Sequence, residues 1–448
     1  MPGIRLVAIG DELLDGHTQD TNSREVAAAL EELGLRPLDV HLIRDHEAAI
    51  RAEVAALLDP AGGLELVISS GGLGPTLDDR TRQVLAAAFG AELVFDETRW
   101  RELQAWFAAR GRVPGELQRS QALHPVPGGA LPNEVGTANG LLFERDDRLW
   151  IALPGVPSEL RHLLASGVLP LLARRLGARP RGRVLAFRSR RLPEADLSQR
   201  LEPLAELEAL GEVGFYPSPD GVLLRLRLPA LDPPELEARA AAARQLVRER
   251  LGDCLLAESG APVVELVFAA LCRRSATLAL AESCTGGWLA RELTDLPGSS
   301  EVFPGGVVAY SNAVKSELLG VPRELLEEHG AVSEACAGAL ALGVRQRLRA
   351  QWGLALTGIA GPAGGTPDKP VGTVWLGLAG PECLLTRRLD LRGNRGQIRQ
   401  RAAGQAWAWL LEILQDTKTQ TGHAAHEAHE GQEEREEREG PTKDRARQ

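Results

Sequence analysis

Residues 64–81 read Leu64-Glu65-Leu66-Val67-Ile68-Ser69-Ser70-Gly71-Gly72-Leu73-Gly74-Pro75-Thr76-Leu77-Asp78-Asp79-Arg80-Thr81. A mostly apolar run over 64–69 ends in small polar residues, crosses a glycine-rich turn and enters a helix start marked by two carboxylates, which the positive end of a helix favours. Strand, turn and helix in direct succession form the repeating unit of a parallel sheet covered by helices. The same alternation precedes this stretch, with a strand predicted over 5–9, a helix over 22–33, a strand over 38–43 and a helix over 47–58. Each strand ends in polar or glycine residues. Open α/β sheets bind their ligands at the carboxyl ends of such strands.

Toward the C-terminus the pattern changes twice. An Arg- and Leu-rich segment runs into Pro180-Arg181-Gly182. A small α+β module follows, with strands over 184–188, 214–216 and 222–228 and helices over 194–209 and 234–251. It lacks a dense polar constellation, so a spacer or dimerisation role fits it better than catalysis. From residue 258 a second α/β unit is predicted. Its helices cover 261–273, 285–294, 312–319, 333–349 and 394–414, and its strands cover 277–281, 306–310, 353–356, 371–379 and 383–389. Beyond Gln415 the chain is too polar to bury a core and reads as a disordered tail. His423, His426 and His429 there read as solvated side chains and not as metal ligands. The expected class is α/β, with two three-layer α/β domains at 1–170 and 258–415, a joining α+β module at 171–257, and the tail at 416–448.

Composition narrows the function classes. The 448 residues are 44% hydrophobic and 25% charged, ordinary globular values for roughly three domains of ~150 residues. No apolar run is long enough to span a membrane and no signal-peptide pattern opens the chain, so a soluble cytoplasmic protein is expected. Five cysteines without a CxxC pair argue against a disulfide framework or a structural zinc site. The net charge of -10 argues against direct nucleic-acid binding. Only four of the 51 basic residues are lysines, and only Lys315 and Lys369 lie before the tail. Arginine stays protonated, whereas lysine can become neutral and act as a base, so these two positions point to chemistry.

The N-terminal strand ends carry two polar clusters. Gly10-Asp11-Glu12-Leu13-Leu14-Asp15-Gly16, with Asp20, Thr21 and Asn22 close behind, is the first. In the second, the backbone N–H groups of Gly71, Gly72, Gly74 and Thr76 suit phosphate oxygens. Taken singly, Asp11 is a turn residue, and Asp78 and Asp79 are helix-start carboxylates. Taken together, a phosphate cradle beside several carboxylates is what a Mg²⁺-assisted phosphate-ester or pyrophosphate site requires. Two further turns, Pro132-Asn133-Glu134-Val135-Gly136-Thr137-Ala138 and Leu153-Pro154-Gly155-Val156-Pro157-Ser158-Glu159, complete a pattern. It resembles the molybdopterin-binding-like domain at the N-terminus of the competence/damage-inducible protein CinA family, except that Asn139-Gly140 stands where that family usually shows Pro-Gly. The resemblance implies a metal-dependent ADP-ribose pyrophosphatase using Mg²⁺ or Co²⁺, with Asp11, Asp78 and Asp79 at the metal-phosphate site. Pterin binding without hydrolysis is the alternative, since a fold alone does not choose between them.

In the C-terminal unit, the strand over 277–281 runs into Glu282-Ser283-Cys284-Thr285-Gly286-Gly287. Ser283 then sits at a strand-to-helix turn, and backbone donors from Cys284, Thr285, Gly286 and Gly287 stand near enough to hold an oxyanion or a phosphate. The next strand ends in Tyr310-Ser311-Asn312-Ala313-Val314-Lys315, a third in Thr357-Gly358-Ile359, and Arg395 and Arg399 open the last helix. Serine is a weak nucleophile until a base takes its proton, and these motifs hold no histidine. Ser with Lys is an alternative, because a lysine desolvated near arginine loses basicity. Lys315 lies about one turn beyond its strand, while Lys369 in a Gly/Pro-rich loop reads as structural or phosphate-side. Other readings remain open. Ser283 is a candidate cap for a helix starting at 285, Cys284 a nucleophile or a small buried hydrophobe, and Thr357 a hydroxyl that satisfies the backbone.

Residues 261–414 resemble the CinA C-terminal domain, whose stand-alone relatives are nicotinamide mononucleotide (NMN) amidohydrolases. The resemblance implies hydrolysis of the NMN carboxamide to nicotinate mononucleotide and ammonia with no cofactor. Ser283 is then the nucleophile and Lys315 the base. Tyr310, Thr357 and Arg395 position the base, amide and phosphate, with either Arg395 or Arg399 gripping the phosphate and Gly358 lining the site. NMN, ADP-ribose and a second copy of the chain, as a homodimer, are the expected partners. A non-enzymatic accessory role in DNA uptake or repair is the alternative from another class.

Overall fold

The structure, a computed structural model, describes residues 3–76, 79–176, 181–190 and 192–415. Asp78, the tail and its histidines lie outside them. The described residues divide into two compact units, one within 3–184 with 229–236 and the other within 185–228 with 237–415.

The first unit is built on strands β1 (Gly3–Ile9), β2 (Asp39–Ile43), β3 (Leu64–Ser70), β4 (Glu92–Phe95), β5 (Leu123–Val126), β6 (Gly129–Leu131), β7 (Gly140–Arg145) and β8 (Arg148–Leu153). Six of them form one sheet in the order β2-β1-β3-β8-β7-β6, while β4 and β5 pair separately. Pairings β1/β2, β1/β3 and β3/β8 are parallel, whereas β7/β8 and β6/β7 are antiparallel. A wholly parallel sheet, as the alternation predicts, therefore gives way at one edge. Arg145 and Arg148 pair directly across a turn in which Asp146 and Asp147 take positive φ, a connection too short for a parallel crossover. Both faces are buried, as strand alternation requires. Val7, Val67 and Trp150 pack with helices Glu47–Leu58 and Thr81–Phe89, and Ile4, Leu6, Ile68 and Ile151 pack with helices Asn22–Glu32 and Pro157–Leu163.

A four-stranded sheet in the order β10-β11-β9-β12 joins β9 (Arg181–Ser189), β10 (Glu212–Ser218), β11 (Gly221–Leu231) and β12 (Leu255–Ala257). The single helix predicted over 194–209 is two, Glu194–Arg200 and Ala205–Glu208. Pro203 lies between them, and it lacks an N–H and disfavours helical backbone at Glu202. Within the second unit, buried Arg188 pairs with Asp220 at 3.0 Å and donates to the Ala261 carbonyl at 2.9 Å. Arg190 pairs with Glu412 at 3.2 Å. These contacts tie the middle module to the α/β portion that follows it.

That portion has strands β13 (Leu278–Glu282), β14 (Gly305–Val308), β15 (Trp352–Gly358), β16 (Thr373–Ala379) and β17 (Leu384–Asp390) in the order β14-β13-β15-β16-β17. The first three are parallel and the last two antiparallel. Helices Val263–Arg273 and Arg395–Gln415 cover one face, and Asn312–Leu319, Arg323–His329 and Glu334–Arg347 the other. The carboxyl ends of β13, β14 and β15 lie side by side, which brings the three motif-bearing strand ends together. Among the described residues no helix is long and apolar enough to cross a membrane.

Candidate active site

In the first unit all four motif turns line one cavity of about 510 Å³, which Asp11, Asn22, Gly71, Gly72, Gly74, Asp79, Thr137, Gly155 and Glu159 help enclose. The cradle is shaped for bare glycines. A Cβ on Gly72 would lie 2.0 Å from the Thr81 hydroxyl, and one on Gly71 2.0 Å from the Ile9 carbonyl. Buried Asn22 donates to the Gly155 carbonyl at 2.8 Å, while its Oδ1 has no partner among the described residues. Glu159 accepts from Asn133 at 2.6 Å, and its burial pushes the carboxyl above the usual range.

The carboxylates assigned to a metal do not behave as free ligands. Asp11 is paired with Arg44 at 3.0 Å. Asp79 accepts from the backbone N–H groups of Gly74 at 2.8 Å and Thr76 at 2.9 Å, and from the Thr76 hydroxyl. It is therefore a clamp on the glycine turn, and it takes up the Gly74 and Thr76 donors that were expected to meet phosphate. Asp78 lies outside the described residues, among which no group of three or more His, Cys, Asp or Glu side chains gathers.

In the second unit the predicted pair comes together. Ser283 follows β13 directly, anchored by its N–H to the Leu356 carbonyl at 3.0 Å. Lys315 lies on helix Asn312–Leu319, whose N-cap Ser311 accepts from Val314. The residue is 1% exposed, and its amine sits 3.4 Å from Ser283 Oγ. Nζ donates to the carbonyls of Ala309 at 2.7 Å and Tyr310 at 3.2 Å. Burial lowers the pKa of this lysine.

Ser283 is not a helix cap. The helix begins at Trp288 with Gly287 as its N-cap, three residues later than predicted, because Gly286 and Gly287 take left-handed backbone at φ 64° and 93°. Buried Glu282, which the sequence reading passed over, accepts from the N–H groups of Gly287 at 3.0 Å, Leu289 at 3.2 Å and Ala290 at 2.9 Å. Its signal is one carboxylate closing the apolar run Leu278-Ala279-Leu280-Ala281. Gly286 donates to the Ser283 carbonyl at 3.2 Å. The predicted oxyanion donors thus reduce from four to Cys284 and Thr285, whose N–H groups meet no backbone acceptor among the described residues. The Cys284 thiol is pushed up to about 11 by burial, which leaves it protonated and unreactive at neutral pH.

The remaining predicted residues take other posts. Tyr310 touches the base through its carbonyl only, its ring being 62% exposed and its hydroxyl accepting from Arg395 at 3.1 Å. Arg395 also donates to the Gly361 carbonyl at 2.8 Å. Thr357 donates to the Ala331 carbonyl at 2.6 Å, so its hydroxyl satisfies the backbone of the neighbouring turn. Arg399 donates to the carbonyls of Cys284 at 3.0 Å and Thr285 at 2.7 Å. Lys369 donates to the His329 carbonyl at 2.7 Å, a structural tie.

Three family models match the chain: the probable molybdopterin binding domain over 5–174, the damage-inducible protein CinA KH domain over 187–256, and the CinA C-terminal domain over 261–414. A CinA-like protein of Gemmatimonas aurantiaca is 42% identical over 405 residues, covering 89% of this chain and 94% of its own. One from a Synechococcus species is 40% identical over 406 residues, covering 89% and 95%. Among solved structures, the competence damage-inducible protein A of Klebsiella pneumoniae aligns at 36% identity with a TM-score of 0.33, over 34% of this chain and 94% of its own.

Proposed function

The chain belongs to the CinA family, with a molybdopterin-binding-type domain ahead of the CinA KH and C-terminal domains, and from that footing we propose that its second unit hydrolyses the carboxamide of NMN through Ser283 and Lys315. One observation carries the reading. A neutral amine has two N–H bonds and one lone pair. The carbonyls of Ala309 and Tyr310 account for the two N–H bonds of Lys315, which leaves the lone pair for the Ser283 hydroxyl.

The steps follow from that arrangement. Lys315 takes the Ser283 proton as Oγ bonds to the amide carbon, and the carbonyl π electrons move to oxygen. The N–H groups of Cys284 and Thr285 stabilise that oxyanion. As the C–N bond breaks, the Lys315 ammonium returns the proton and ammonia leaves. Water, deprotonated by the same amine, then attacks the ester to release nicotinate mononucleotide and free Ser283. The full chain is expected to release ammonia and nicotinate mononucleotide from NMN in equal amounts, and Ser283→Ala to stop both. Absence of ammonia release by the wild type excludes the reading.

The first unit binds a phosphate-bearing ligand in its glycine-lined cavity in this reading. Of the carboxylates that line it, Asp11 is paired with Arg44 and Asp79 accepts from loop N–H groups. ADP-ribose supplied with Mg²⁺ or Co²⁺ is the test, and AMP formation separates pyrophosphate hydrolysis from ligand binding alone.

A further inference from the structure

Building on the amide-hydrolase reading, we propose that Glu282 and Arg399 are positioning residues that grip the nucleophile turn from two sides and so aim the oxyanion donors. A peptide is planar and trans, so the N–H of Thr285 points opposite to the Cys284 carbonyl, and that of Gly286 opposite to the Thr285 carbonyl. Arg399 holds both carbonyls, at 3.0 and 2.7 Å. The Thr285 N–H therefore faces away from the guanidinium, and the Gly286 N–H folds back on the Ser283 carbonyl to close the turn.

Glu282 acts from the other side. Its buried carboxylate immediately precedes the nucleophile and takes the N–H groups of Gly287, Leu289 and Ala290. A carboxylate in that position is costly unless such donors satisfy it, so residue 282 and the helix start fix each other. With those three donors engaged, Cys284 and Thr285 are left to receive developing negative charge. The Arg399 grip is itself anchored. Its guanidinium carbon lies 5.5 Å from the Trp288 ring centroid. Glu292 accepts from the Trp288 indole at 2.9 Å and from the Trp407 indole at 2.8 Å. Arg399 Nε and Nη2 are engaged by the turn, so in this proposal the residue orients the loop rather than gripping the substrate phosphate.

The test uses the full chain, two substrates and one substrate-independent probe. Glu282→Gln removes one acceptor oxygen and turns an NH₂ toward N–H donors, and Arg399→Lys removes the two-pronged grip. Each is expected to lower kcat on NMN by about 10- to 100-fold, as for a displaced oxyanion donor, with KM changed less than about threefold. The same loss is expected on nicotinamide riboside, which lacks the phosphate. A kcat within about twofold of wild type in either variant overturns the proposal. So does an Arg399→Lys variant whose loss is confined to KM for NMN and spares the riboside, since that is the behaviour of a phosphate ligand.

Thermal melting run beside the kinetics identifies a variant that fails to fold, and Arg399→Gln or Glu282→Asp then replaces it under the same criteria. A fluorophosphonate probe separates this proposal from the one beneath it. Ser283 oxygen bonds to phosphorus, fluoride leaves and the proton passes to Lys315. Wild type that labels at Ser283 without releasing ammonia from NMN overturns the substrate reading alone. Slower labelling in both folded variants supports the clamp, and unchanged labelling in either overturns it.

Discussion

The Lys315 amine stands 3.4 Å from the Ser283 hydroxyl while the Ala309 and Tyr310 carbonyls, at 2.7 and 3.2 Å, hold it in place. Replacing the amine by a guanidinium keeps a long basic side chain but fixes it as a cation and removes the base, because arginine does not deprotonate in this range. Lys315→Arg is expected to lower NMN turnover by about 10²- to 10⁴-fold, the usual worth of a positioned base. Ammonia release measures it, and near-normal turnover excludes the assignment.

Burying a cation without a carboxylate partner costs stability, and its relief follows pH. The Lys315 pKa is lowered by burial below its ordinary 10.5. Between the folded and unfolded values the unfolded chain binds the extra proton, so stability rises with pH across that window. Below it both states are protonated and the cost is fully present. Lys315→Met has no such proton. The melting temperature of wild type relative to Lys315→Met is therefore expected to rise from pH 7 toward pH 10.5. A constant difference across that range contradicts a desolvated amine.

Much of this site is legible in the sequence because its parts lie at strand ends. Ser283 follows β13 and Lys315 lies in the first turn of the helix after β14, so the pairing of β13 with β14 brings them close. What escapes is partner choice. Asp11 and Asp79 read as metal ligands by residue type, but Asp11 finds Arg44, 33 positions away, and Asp79 turns back on Gly74 and Thr76. Glu282 escapes for the same reason, since a carboxylate at a strand end says nothing about which N–H groups it meets. Local backbone accounts for the other shifts. Pro203 breaks one predicted helix, and left-handed Gly286 and Gly287 delay the start of another.

Tyr310 contributes its carbonyl to the base and its hydroxyl to Arg395. Tyr310→Phe removes the second contact and leaves the first. Turnover of NMN in this variant is expected to stay within about fivefold of wild type, the effect of one exposed hydrogen bond. A loss of about 100-fold or more assigns the hydroxyl a direct part in the reaction.

Cys284 follows Ser283 directly at the turn, and its thiol is held at about 11. Cys284→Ala keeps the backbone N–H that serves the oxyanion and removes only the sulfur, so kcat is expected within about threefold of wild type. Iodoacetamide at pH 8 is expected to leave wild-type turnover intact on the same ground. Loss of activity in either experiment shifts the nucleophile from oxygen to sulfur.

Asp79 decides what kind of ligand site the first unit holds. Its two oxygens accept from the Gly74 and Thr76 N–H groups and the Thr76 hydroxyl, so Asp79→Ala strands those donors and loosens the glycine turn. The expected cost is about 0.5–1.5 kcal/mol of that unit's stability, because Thr76 is exposed and water takes up part of what is lost. Affinity for ADP-ribose is expected to fall equally with and without EDTA, because the lost function is loop geometry. Isothermal titration of wild type and variant under both conditions makes the comparison. A defect seen only with divalent metal present makes Asp79 a ligand, bound through a lone pair that its contacts with the turn leave over.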